Sequence, residues 1–139
     1  MYSSVNTRSA AAYKRASVEA SVAMADPHQL VTLLFEALQR HLACAKLALQ
    51  AQDITGKCYQ VNAALRILEE GLKAPLDMER GGEIAKNLNA LYDYCIRRLV
   101  LANAKNDEAG LDEVSQLIAP VASGWKEMKV PSTQLVRAA

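Results

Sequence analysis

Between Gly81 and Asn106 the apolar residues fall into two adjoining rows. Ile84, Leu88, Leu91, Cys95, Leu99 and Ala102 recur at the i, i+3, i+4, i+7 spacing of a helix packed on a core, and Ala85, Tyr92, Ile96 and Val100 lie beside them. At roughly 100° per residue the two rows span about 180° of the helix, wider than the ~100° stripe that packing against one neighbour requires. This helix therefore sits centrally among others or keeps apolar surface for a partner. The first row is assigned to the core and the flank through Tyr92 and Ile96 to an open groove.

Three more helices follow from the same pattern. Asp26-Pro27 is a start signal, because Asp accepts from a free first-turn amide and Pro at the first helical position forfeits no bond. The helix it opens runs to about Ala51, with one row of Leu30, Leu34, Ala37, His41, Cys44 and Ala48 and another of Val31, Phe35, Leu38, Leu42, Ala45 and Leu49. A second helix from Ile54 or Thr55 to Lys73 carries a seam of Cys58, Val61, Leu65, Leu68 and Leu72, with Ile67 on its flank. After the Gly81-Asn106 helix, a fourth spans about Asp107 to Met128. Its apolar face is Leu111, Val114, Leu117, Ile118, Val121, Trp125 and Met128, and Pro120 costs it a backbone bond.

Short connections place successive helices antiparallel, so the fold class is all-α, an up-and-down four-helix bundle over residues 27–129. Residues 1–26 form a leader with few large apolar groups. It is either unstructured or docks on the bundle through Tyr13, Val18 and Val22. Residues 130–139 carry no sustained pattern and read as a flexible tail.

Composition narrows the function classes. The 139 residues are 51% hydrophobic but only 5% aromatic, which suits helices of Ala, Leu and Val. A formal net charge of +1 with interspersed signs argues against a nucleic-acid or anionic-membrane surface. Three cysteines without a CxxC pair indicate neither a disulfide framework nor zinc, and each stands at an apolar helical position. No signal peptide and no apolar run of ~18 residues is present, so a cytosolic, reduced protein without membrane insertion is expected.

Catalytic and cofactor patterns are missing. A di-iron bundle needs Glu-x-x-His on two helices, but Ala25 precedes His28 by three and Leu38 precedes His41 by three. His41 reads as a core or boundary residue and His28 as a solvated first-turn residue. Gly81-Gly82 lacks the remainder of a phosphate loop. No nucleophile elbow occurs, and no Cys pairs plausibly with a His. Arg97-Arg98 reads as an exposed pair of small energetic weight or, alternatively, as a reader of an acidic or amide-rich partner. No enzyme, metal or cofactor is expected.

A longer ordered pattern carries a resemblance. Tyr13 and Val18 are followed by ADPHQLVTLLFEAL, by LDMERGGEIAKNLNALYDYCIRRLVLANAKND, and by Trp125-Lys126-Glu127. Over residues 10–128 this resembles the FliS family of flagellar secretion chaperones. Departures are Asp26 where the family commonly has Ser, Cys58 and Cys95 within helices, Pro120, and the tail after Met128.

The resemblance implies a cytoplasmic export chaperone whose grooves bind the disordered C-terminal segment of flagellin, preventing premature polymerisation and aiding type III secretion. It also implies contacts with an export-gate protein, an anti-sigma factor and other flagellar regulators. The residues assigned to flagellin are Leu65, Ile67, Leu68, Leu72, Leu88, Leu91, Tyr92, Cys95, Ile96 and Leu99, with the flanks of the fourth helix, and in the family the leader bearing the Tyr covers apolar surface. The alternative is a general helical adaptor for amphipathic segments, and a cofactor-holding bundle is the third reading. Surplus apolar surface leaves room for a homodimer.

Overall fold

Three of the four helices begin where an aspartate carboxylate meets free backbone amides, and the other follows Gly81 with no side-chain cap. The computed structural model describes residues 26–128. Asp26 Oδ1 accepts from Gln29 N at 2.7 Å while Gln29 Oε1 accepts from Asp26 N at 3.3 Å, a reciprocal cap that opens α1, Pro27–Gln50. Asp53 accepts from Gly56 N and opens α2, Ile54–Arg66. Helix α3 covers Gly82–Lys105 and ends on Asn106 in the left-handed conformation, φ 51°. Asp107 then accepts from Ala109 N and starts α4, Glu108–Glu127, which continues through Pro120.

Helix α2 does not stop at Arg66. Over Ile67–Lys73 its turns widen to i→i−5 bonding, closed by Ala74 N donating to Glu69 O at 3.0 Å. The wide turn carries Gly71, where a Cβ would sit 3.2 Å from a Leu34 methyl, so α1 approaches closely there.

The four helices pack as an antiparallel up-and-down bundle, with α1 against α2 and α4, and α3 against α4 and α2. Among the described residues there is no strand. The core is Phe35, Leu38, Leu42 and Ala45 of α1; Val61, Ala64, Leu68 and Leu72 of α2 and its extension; Tyr92, Cys95, Leu99 and Ala102 of α3; and Leu111, Val114 and Ile118 of α4. Each fully buried Leu or Ile contributes roughly 1.5–3 kcal/mol, so this cluster dominates stability.

Row assignments change in two helices. On α3 the buried row is Ala85, Tyr92, Cys95, Leu99 and Ala102, whereas Ile84 is 66% exposed. The buried face is shifted toward Tyr92, which turns inward, whereas Ile84, on the same face as the buried Ala102 about five turns on, is exposed because it stands in the first turn of α3 at the open end of the bundle. On α2 the inner row is Lys57, Val61, Ala64, Leu68 and Leu72; Cys58 and Leu65 are half-buried. Lys57 is buried because its Nζ donates to Asn103 O at 2.7 Å and to Asn103 Oδ1 at 2.6 Å. The ammonium thus satisfies a free carbonyl in the last turn of α3, at the negative end of that helix dipole.

Arg98 is not an exposed member of a charge pair. Its Nε donates to Glu113 Oε1 at 2.8 Å and its Nη2 to Asp107 Oδ2 at 3.0 Å, while the Tyr94 hydroxyl donates to Glu113. The guanidinium covers Gly110, where a Cβ would lie 2.7 Å from both Arg98 Nη1 and the Ala102 Cβ. Only glycine permits this crossing of α3 and α4. Arg97, the neighbour, is exposed.

Both partner carboxyls are held below their ordinary values, Asp107 chiefly by the Arg98 hydrogen bond and Glu113 by the bonds from Tyr94 and Arg98. A carboxyl that titrates lower when folded than when unfolded contributes stability fully present above the unfolded value and lost as pH falls through the folded one. The melting temperature of Arg98→Met should therefore lie below that of the unsubstituted chain at neutral pH. The difference should shrink between about pH 5 and about pH 3. Melting curves across that range test this; a pH-independent difference would contradict the assignment.

Candidate functional site

The up-down topology brings the start of α1, the end of the α2 extension, the start of α3 and the end of α4 to one end of the bundle. An apolar groove of about 260 Å³ opens there. Val31 and Phe35 come from α1; Gly71, Leu72, Pro75 and Leu76 from the α2 extension and the loop after it; Ile84, Leu88 and Tyr92 from α3. Pro120, Val121, Gly124, Trp125 and Met128 complete the lining from α4 and its cap. None of these residues carries a charge.

Side-chain size explains why the space is open. At mid-bundle the axis is filled by Leu38, Leu68, Leu99 and Ile118, all fully buried. At the groove end α2 presents Gly71, and α4 presents Pro120 and Gly124. The opposite end is closed by polar contacts: Gln50 Nε2 donates to Glu108 Oε1 at 2.7 Å, and Lys46 pairs with Asp112 at 3.0 Å.

The groove rim is tied by a reciprocal clasp. Trp125 Nε1 donates to His28 O at 3.0 Å, and His28 Nε2 donates to Trp125 O at 2.7 Å. The two rings stack with centroids 5.0 Å apart and planes 13° from parallel. His28 is thus a half-buried structural residue rather than a solvated one. His41 lies at the α1–α2 boundary, its Nδ1 2.6 Å from Gln60 Oε1.

Of the residues assigned from sequence, Leu72, Leu88 and Tyr92 line the groove. Leu68, Cys95 and Leu99 are buried in the core, away from it. Leu65, Ile67, Leu91 and Ile96 are half-buried and pack on the core from its flanks. Tyr13, Val18 and Val22 lie outside the described residues. Sequence reasoning did not single out Val31, Phe35, Leu76 or Ile84 as binding residues, and it gave the fourth helix only as its flanks, without naming Val121, Trp125 or Met128. The signal was available: in an up-down bundle, apolar residues at the starts of odd helices and the ends of even ones converge at one end.

Titration properties argue for packing rather than reactivity. Burial pushes the Tyr92 hydroxyl up to about 12 and the Cys95 thiol up to about 11. Cys44, Cys58 and Cys95 are all free thiols. Among the described residues no cluster of three or more His, Cys, Asp or Glu could hold a metal. No described helix is long and apolar enough to cross a membrane.

Trp125 is the chain's single tryptophan, so the clasp can be read by fluorescence. His28→Ala should red-shift its emission and lower stability by about 1–2 kcal/mol, through loss of one side-chain hydrogen bond and the stack. Unchanged emission would show that the rim does not depend on the clasp.

Residues 9–132 match the family model described as "Flagellar protein FliS". The chain is 45% identical over 117 residues to the Flagellar secretion chaperone FliS of Salmonella typhimurium, covering 84% of this chain and 87% of that one. It is 46% identical over 113 residues to the Flagellar secretion chaperone FliSB of Pseudomonas aeruginosa, covering 81% and 89%. To the Flagellar secretion chaperone FliS of Escherichia coli it is 39% identical over 127 residues, covering 91% of each. With the family model spanning most of the chain and these relatives aligned nearly end to end, the chain belongs to the FliS family of flagellar proteins.

Proposed function

We propose that the chain is a non-enzymatic, cytoplasmic flagellar export chaperone that holds the C-terminal segment of flagellin until secretion and so prevents premature polymerisation. The observation that carries this reading is the uncharged groove at the open end of the bundle in a member of this family. A segment disordered when free must bury enough apolar surface to offset its ordering, and an amphipathic helix laid in an apolar groove does so. Leu72, Leu88 and Tyr92 form the groove floor, with Ile84 as an exposed anchor at its edge. Leu65, Ile67, Leu91 and Ile96 extend the contact along the flanks, while Leu68, Cys95 and Leu99 hold the wall from inside.

The leader belongs to the same account. Helix α1 starts at the groove end, so Asp26, to which the leader is joined, lies at that end of the bundle. Tyr13, Val18 and Val22 dock on the bundle in the free protein and move when flagellin binds. Hydrogen exchange of residues 10–24 should then change on adding the partner; identical exchange would remove the displacement step.

Calorimetry with a flagellin C-terminal peptide tests the main reading, and absence of binding at tens of micromolar would defeat it. Ile84→Ser should weaken that binding by about tenfold, as loss of an anchor does, while leaving melting within about 2 °C because the side chain is mostly solvated. Equal affinity for unrelated amphipathic peptides would favour a general helical adaptor instead.

A further inference from the structure

The described glycines have different reasons to be glycine. A Cβ at Gly56 would meet the Asp53 carboxylate, one at Gly71 would press on Leu34, and one at Gly110 would overlap Ala102 and Arg98. Gly82 has φ +57°, a conformation that L side chains rarely adopt. Gly124 has none of these constraints: a Cβ there meets nothing within 4 Å, its φ is not in the left-handed region, and it lies inside α4. Glycine within a helix lowers stability relative to alanine, so the fold alone disfavours this residue. Pro120, one turn earlier, likewise costs a backbone bond, and both line the groove.

We propose that Gly124 is the close-approach point of the groove and determines which segments fit it. The inference rests on the reading that the groove takes flagellin's C-terminal segment. Without a Cβ, the wall of α4 lets the backbone of a docked helix come nearer than any other residue would allow, a recognised use of glycine beside a ligand. The occupant is an amphipathic helix whose inserted face is wholly uncharged, because no lining residue could pair a charge there. That face carries a small residue opposite Gly124 and larger apolar residues one turn either side, toward Ile84 and Trp125.

Gly124→Ala and Gly124→Leu in the full chain test this. Both should raise the melting temperature, by roughly 2–8 °C, since the helix gains and nothing clashes. Gly124→Leu should weaken binding of a flagellin C-terminal peptide by at least about tenfold by filling the approach space, and Gly124→Ala by less. Ser123→Leu adds the same bulk on the exposed neighbouring position, beside Thr32, Glu36 and Lys126, and should leave affinity within about twofold. Tight binding by Gly124→Leu, or a fall in its melting temperature, would overturn the inference alone. An unsubstituted chain that binds no flagellin peptide would overturn the functional reading and this inference together.

Discussion

The buried cluster around Leu38, Leu68, Leu99 and Ile118 sets the rotation of each helix about its own axis. With close-packed interiors and side chains in staggered rotamers, a helix cannot turn by one residue without exposing one large apolar group and burying another. Once Leu99 and Cys95 point inward on α3, Tyr92 must follow them, and Ile84, on the same side but in the first turn, is left at the open end where no core side chain covers it. Two polar anchors fix the same rotation: Lys57 on the last turn of α3, and Arg98 across the Gly110 crossing to the start of α4. The groove is what remains where the filling side chains give way to Gly71, Pro120 and Gly124.

This distribution divides the molecule into a closed end and an open end. The closed end holds the Asn106-Asp107 and Gln52-Asp53 turns, tied by Gln50 to Glu108 and by Arg98 to Asp107. The open end has apolar walls, with the His28–Trp125 clasp at the rim and the Lys73–Asp93 pair joining the α2 extension to α3 at 2.6 Å. Stability and binding can therefore be separated along the axis. Substitutions near Gly110 act on the fold, and substitutions near Ile84 act on the site.

Much of the architecture was legible in the sequence. Asp26-Pro27, the Asp53 break and the Asn106-Asp107 junction marked the four helices and their order, while the two rows read on α1 contained its buried residues without separating inner from outer. On α2 and α3 spacing found Val61, Leu68 and Leu72, and Cys95, Leu99 and Ala102, and missed the rest of each inner row for physical reasons. A periodic pattern treats Lys57 as polar although its amine is satisfied by a helix end, and it prefers the larger Leu65 to its neighbour Ala64, which is the one that faces inward. On α3 two rows of similar hydrophobicity differ only in what covers them. The groove was half legible: Leu72, Leu88 and Tyr92 were found, and α4 was expected to contribute its flanks, but which of its residues do so was not separated from its single apolar face. Leu111, Val114 and Ile118 are buried, whereas Val121, Trp125 and Met128 pass from core to rim.

The central claim is that flagellin's C-terminal segment occupies the open end and leaves the closed end alone. Amide chemical-shift mapping of the labelled chain during titration with that peptide tests it most directly. The account gives the largest shifts at Ile84, Leu88, Val121, Gly124 and Trp125, with Gln50, Gly56 and Asn106 unmoved. Shifts concentrated around Gln50 and Asn106, with the groove residues silent, would contradict it.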